Sequence, residues 1–196
     1  MTMGSRTLSV AFLTGALVAA GAQVVWSGSE SVESDVAATA LEALVEPRIV
    51  EMPDIVLVGT VDGAADVGEL DIAAMWQRFA SASESLEHAI EDAGYELHIQ
   101  TSSDPPMHYV LTGVQVSELG PLPPDLFAKV LPPSTYAVFT HRVVDGYAKI
   151  YAAINAWLEG SEYREAYPFD FQLYDSRFTS MDDPESVQDI YVPVTK

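Results

Sequence analysis

Between Ile55 and Val194 the chain passes twice through one order of patterns: strand, helix, strand, strand. In the first pass Ile55-Val-Leu-Val-Gly-Thr-Val61 is apolar and β-branched, as a buried strand should be. Ile72, Met75, Trp76, Phe79, Leu86 and Ile90 then recur at helical spacing, with Asp71 placed to cap the helix and Gly94 to end it. Tyr95–Thr101 and Met107–Val116 read as two further strands. In the second pass Thr135–His141 is a strand. A helix from Asp145 to Gly160 carries Tyr147, Ile150, Tyr151, Ile154, Trp157 and Leu158 on one face, and Phe169–Asp175 and Gln188–Val194 follow as strands. Gly120-Pro-Leu-Pro-Pro124 separates the passes, because proline cannot donate to a sheet ladder. Units of roughly 60 residues bury too little surface to stand alone, so the two should share one core. The expectation is an α+β domain over 47–196, with halves at about 50–118 and 126–196. It would be a tandem strand-helix-strand-strand duplication: one antiparallel sheet, two helices on one face, and a ligand cleft between the halves.

The strand Phe169–Asp175 has the clearest alternation. Phe169, Phe171 and Leu173 fall on one face, while Asp170, Gln172 and Tyr174 fall on the other. A strand with that second face can meet water, as in many antiparallel sheets, or it can floor a small-molecule site.

Composition narrows the partners. With 29 acidic against 9 basic residues and a formal net charge of −20, the chain lacks the lysines and arginines that neutralise a phosphate backbone, which argues against nucleic acid. The same field favours a cationic or neutral ligand. There is no cysteine, which removes disulfides, thiolate nucleophiles and cysteine zinc sites. Leu8–Ala20 is an uncharged, largely apolar run behind Arg6, and Ala20-Gly-Ala22 has the small-residue pattern of a signal cleavage site. Residues 1–22 therefore read as a signal peptide, with an uncleaved membrane anchor extending to Trp26 as the alternative, and 27–46 as a linker. Both place the domain outside the cytoplasm, periplasmic or secreted. A membrane contact is expected only for the uncleaved form, and no protein partner is identified.

The second pass carries a recognisable pattern. Pro132-Pro-Ser-Thr-Tyr136-Ala-Val-Phe139, Tyr151 and Trp157 on the helix, Phe171-Gln-Leu-Tyr174 and Asp189-Ile-Tyr191-Val-Pro193 together resemble the GyrI-like effector-binding domain of AraC-type and MerR-type regulators. In the first pass His108-Tyr109 and Thr112-Gly113 resemble that family's Tyr-x-x-x-Gly strand. The resemblance implies an aromatic-lined cleft between the halves. It also implies a glutamate where this chain has Gln172, the carboxylate that meets cations in multidrug-sensing members and moves protons in hydrolase members. An amide only donates and accepts hydrogen bonds, so Gln172 weakens both roles here, and Asp170 on the same face can substitute in part.

The candidate ligand-binding set is Gln172, Tyr174, Tyr136, Asp170, His141, Tyr109 and Trp76, with no catalytic residue, metal or cofactor assigned. Tyr174 and Tyr136 offer an apolar body with a polar tip. Trp76 and Trp157 lie on apolar helix stripes that equally suit a core. His88, His98, His108 and His141 show no metal-ligand spacing, and of these His141, at a strand end, is the one candidate contact. The function expected is capture of a hydrophobic or cationic organic molecule; a hydrolase or a tetrapyrrole-binding protein is the alternative.

Overall fold

The computed structural model describes residues 46–90 and 92–196. The signal or anchor reading, and all of the linker except Glu46, lie outside them. Among the described residues nine strands form one antiparallel sheet: β1 (Arg48–Met52), β2 (Ile55–Ala64), β3 (Gly94–Gln100), β4 (His108–Val116), β5 (Phe127–Leu131), β6 (Ser134–Arg142), β7 (Arg164–Glu165), β8 (Phe169–Tyr174) and β9 (Val187–Thr195). Helix α1 (Ile72–Ala82) follows β2, and α2 (Tyr147–Gly160) follows β6.

The spatial order is β1-β6-β9-β8-β3-β4-β2-β5, with the two-residue β7 paired to β9. The two strand-helix-strand-strand passes thus lie side by side and meet where β8 pairs with β3. The outer edges are exchanged. β1 opens the first half but pairs with β6 of the second, while β5 opens the second half but pairs with β2 of the first.

Alternation assigns each strand two faces. On one, Ile55, Leu57, Tyr95, Leu97, Leu111, Leu131, Tyr136, Val138 and Phe171 form a buried cluster joined by Val50 and Met52. Residues from β1 and from β5, the two sheet edges, share this cluster, so the sheet curls around it, and among the described residues no helix packs on that side. The other face carries the helices. Met75, Trp76 and Phe79 of α1 are buried there, the last two against Val58, Val114 and Val116, and Ile150 and Ile154 of α2 cover Phe139, Ile190 and Val192. The two helix-covered clusters are separate, which leaves a strip of sheet between them.

The first helix is shorter than its periodicity suggests. It stops at Ala82 and passes into a 3-10 turn, Ser83–Ser85, so Leu86 and Ile90 are not helical. Ser81 and Ser83 hydroxyls donate to the Gln77 and Ala80 carbonyls, the local competition by which serines weaken a helix. Gly94 opens β3 instead of ending the helix, and it lies close under Trp76, where a Cβ would come 3.0 Å from Cη2. The second helix begins at Tyr147, one residue past Gly146, whose φ of 80° is costly for any residue with a side chain. Asp145 lies outside it, ion-paired with Arg142. β1 and β5 were not anticipated as strands.

Candidate ligand site

The strip between the helices is floored by β3 and β8, whose polar residues line up across one ladder. Glu96 faces Gln172 and His98 faces Asp170. Glu96 and Gln172 are buried, at 5% and 4% exposure. Tyr151 from α2 donates to Asp170 Oδ1 at 2.8 Å, and Tyr147 from α2 donates to Gln188 Oε1 on β9 at 2.9 Å. Trp76 from α1 meets the Tyr174 ring edge-on at 5.7 Å. The seam is thus spanned by aromatic side chains of both helices.

Proton counting orients the centre of this network. Tyr174 has one hydroxyl proton and two acceptors in reach, Glu96 Oε2 at 2.8 Å and Gln172 Oε1 at 3.2 Å. The shorter, charge-assisted bond takes it. His98 Nε2 lies 2.9 Å from Glu96 Oε1 and 3.4 Å from Gln172 Nε2. With its proton on Glu96, that nitrogen has no lone pair for an amide N–H. Exchanging the amide O and N of Gln172 removes the clash of two donors: its nitrogen then donates to the Tyr174 oxygen, and its oxygen lies 3.4 Å from Nε2 as a long, shared second acceptor of the proton given to Glu96. Gln172 becomes a clip between the phenol and the imidazole, with Glu96 as the carboxylate at the centre.

The charges are arranged against burial. Among the described residues no Lys or Arg pairs with Glu96 or Asp170, and His98 is the one basic side chain within ion-pair distance of Glu96. Burial pushes the Asp170 carboxyl above its usual range, partly offset by His98 and by the Tyr151 hydroxyl. Burial acts against a charged His98, yet the hydrogen bond to Glu96 and the charges of Glu96 and Asp170 outweigh it and raise its pKa. Burial raises the Tyr147 phenol to about 12 and lifts Tyr151 and Tyr174 well above their ordinary value, so all three are neutral donors. The arrangement can hold a positive charge against a buried carboxylate, under aromatic cover. Among the described residues no group of three metal-ligating side chains is placed to hold an ion.

The expected residues divide. Gln172, Tyr174, Asp170 and Trp76 come together in the seam. His141 lies on the same face of β6, buried at the back of the seam with its ring 5.4 Å from Tyr147. Burial lowers its pKa, opposed in part by its cross-strand neighbour Gln188 and the Arg142 backbone. Tyr136 does not belong here. It points into the helix-free core, fully buried against Phe171 and Tyr191, because positions 136 and 141 differ by an odd number and fall on opposite faces. Tyr109 shares the parity of Leu111 and is also off the seam, its half-exposed ring lying over Gly63. Glu96 and His98 were missed. Their shared parity, within a strand whose other face is Tyr95, Leu97 and Ile99, was the available signal. Two open depressions of about 420 and 490 Å³ lie elsewhere, around Glu51, Thr135, Val194 and Thr195.

A family model described as the GyrI-like small molecule binding domain matches residues 45–195. The chain belongs to the GyrI-like family. The transcriptional regulator BrlR of Pseudomonas aeruginosa is 30% identical over 153 residues, which cover 75% of this chain and 54% of BrlR. The chain therefore spans about half the length of that curated relative. The structure of SAV2435 bound to tetraphenylphosphonium aligns with a TM-score of 0.60 at 17% identity, over 76% of this chain and 94% of that one. EcmrR in its DNA complex aligns with a TM-score of 0.59 at 16% identity, over 83% of this chain and 62% of EcmrR. At these identities the structural likeness establishes a shared fold. As a GyrI-like domain this chain is a small-molecule-binding module, and its buried carboxylate stands on β3, across the ladder from the β8 position where the resemblance placed a glutamate.

Proposed function

We propose that the seam between β3 and β8 binds a hydrophobic organic cation, with Glu96 as its counter-charge. The observation that carries this is the burial of the Glu96 carboxylate, at 5% exposure, among aromatic rings and without a Lys or Arg partner among the described residues. A charge held that way costs free energy unless something positive compensates it, and the one basic group in reach among the described residues, His98, is charged only when protonated. Trp76, Tyr147, Tyr151 and Tyr174 supply the faces that attract a cation whose own charge is spread over apolar groups. Gln172 supports the same reading, because a second glutamate there would oppose Glu96 directly. Tetraphenylphosphonium, the compound bound by SAV2435, is a suitable probe since its charge does not titrate.

The test is a carboxylate exchange measured by titration calorimetry. Glu96→Gln should weaken tetraphenylphosphonium binding by about 2 kcal/mol, roughly thirtyfold. Adding Gln172→Glu to it returns the charge to the opposite strand and should recover most of the loss. Unchanged affinity in Glu96→Gln would remove Glu96 from the site.

We also propose that the domain works outside the cytoplasm. The support is the uncharged run Leu8–Ala20 and the Ala20-Gly-Ala22 pattern that follows it. N-terminal sequencing of protein recovered from the cell envelope tests this; an intact Met1 on a cytoplasmic product would refute it.

A further inference from the structure

The two carboxylates of the seam have an imidazole between them. His98 has Glu96 two residues back on its own strand, with Nε2 to Oε1 at 2.9 Å, and Asp170 directly opposite on β8. Its other cross-strand neighbour, on β4, is the apolar Val110. From α2 the Tyr151 hydroxyl reaches Asp170, and Tyr174 of β8 caps the second oxygen of Glu96. Among the described residues no other basic side chain pairs with either carboxylate. The His98 side chain is 23% exposed while that of Glu96 is 6% exposed, so the imidazole is the part of the pair that reaches solvent.

From this geometry we infer that protonated His98 is the resident counter-ion of the empty site, and that a cationic ligand binds in exchange for its proton. This rests on the reading that the seam binds cations. Glu96 can neutralise one positive charge closely, and His98 and the ligand compete for it. When the ligand arrives, the Nε2–H···Oε1 bond is given up, the imidazolium loses its proton to solvent, and neutral His98 keeps its place beside Asp170. The elevated pKa of His98 is in keeping with this. The exchange would also discriminate between ligands. A permanent, weakly hydrated cation gains from displacing the proton, whereas a neutral aromatic molecule of the same shape leaves His98 charged and its ion pair intact.

Linkage gives the sign. Below the His98 midpoint the proton must leave before the ligand can bind, so affinity falls about tenfold per pH unit; above it, affinity levels off. The experiment has two parts on the full chain. Ring resonances of His98 are titrated without ligand, and a midpoint above the ordinary value of about 6.5 is expected; a midpoint at or below it overturns the proposal. Tetraphenylphosphonium binding is then measured one pH unit below that midpoint, by calorimetry in two buffers of different ionisation enthalpy. Release of close to one proton is expected; it should persist in Asp170→Asn, which removes the other seam group of raised pKa, and be lost in His98→Asn. Binding with no proton released overturns the exchange and leaves the cation-binding function standing. No binding at any pH overturns both. The wild-type measurements decide the matter even if the variant does not fold.

Discussion

Glu96 and Gln172 stand directly opposite each other across the β3–β8 ladder, and the Tyr174 hydroxyl lies within hydrogen-bonding distance of both. One is a buried carboxylate and the other a buried amide, and that difference makes the pair stable. Gln172→Glu would set two carboxylates against each other in a place with one nearby basic group, the imidazole of His98. Denaturant unfolding should show a loss of about 1–3 kcal/mol at pH 7. The loss should shrink towards pH 5 as the pair takes up a shared proton, because a carboxyl with a raised pKa stabilises the folded state as pH falls.

Asp170 is expected to weaken the fold at neutral pH for the same reason. Its pKa is raised by burial, so stability is lost as pH rises through the folded value. Asp170→Asn keeps an acceptor for the Tyr151 hydroxyl and removes the charge. It should raise the urea midpoint at pH 7, and the gain should vanish below pH 3.8, where the carboxyl is neutral in both states. Tyr151→Phe should act in the opposite direction, costing about 2 kcal/mol at pH 7 by leaving that carboxylate without its donor.

Gly94 sets how closely α1 approaches the seam. An added Cβ would lie 3.0 Å from Trp76 Cη2, so Gly94→Ala must push the indole away from the sheet and from the Tyr174 ring. The expected result is a loss of about 1–2 kcal/mol in stability. It should come with a changed near-ultraviolet circular dichroism signal that is absent when the same change is made in a Trp76→Phe background.

At the mouth of the helix-free core, Asp189 is 2% exposed and accepts from Arg48, Arg177 and Thr140. The arginines are far more exposed, at 57% and 40% of their side chains. The costs of cutting this cluster are therefore unequal. Removing Asp189 lets both arginines return to water, and Asp189→Asn should cost about 1–2 kcal/mol. Arg48→Ala with Arg177→Ala strands a buried carboxylate and should cost about 3 kcal/mol or more. Unfolding curves that rank the variants the other way would contradict the burial argument.

Much of the sheet was legible because period-two patterns are local. Phe169, Phe171 and Leu173 fall on one face and Asp170, Gln172 and Tyr174 on the other without knowledge of any neighbour. Alternation gives no face for Tyr136 because β6 is apolar on both sides, with Tyr136 and Val138 on one face and Ala137 and Phe139 on the other, both buried. β1 and β5 were hidden because five-residue segments become strands through distant partners, β6 and β2. Glu96 stayed out of sight for a related reason. Alternation shows that it shares a face with His98, but only the long-range pairing of β3 with β8 puts both beside Gln172 and Asp170. That a buried carboxylate stands opposite Gln172 is a property of the assembled sheet.

The crossed placement of β1 and β5 has a consequence for how the molecule can come apart. Cutting the chain in the segment between Val116 and Phe127 would leave two fragments, each owning the outermost strand of the other. Neither fragment could complete its own sheet, yet together they would have every strand required, so co-expressed pieces should find each other and refold as a pair. By the same token, melting either half would strip the other of a rim strand. Any ligand that tightens the line where they meet would be felt at both far rims of the protein.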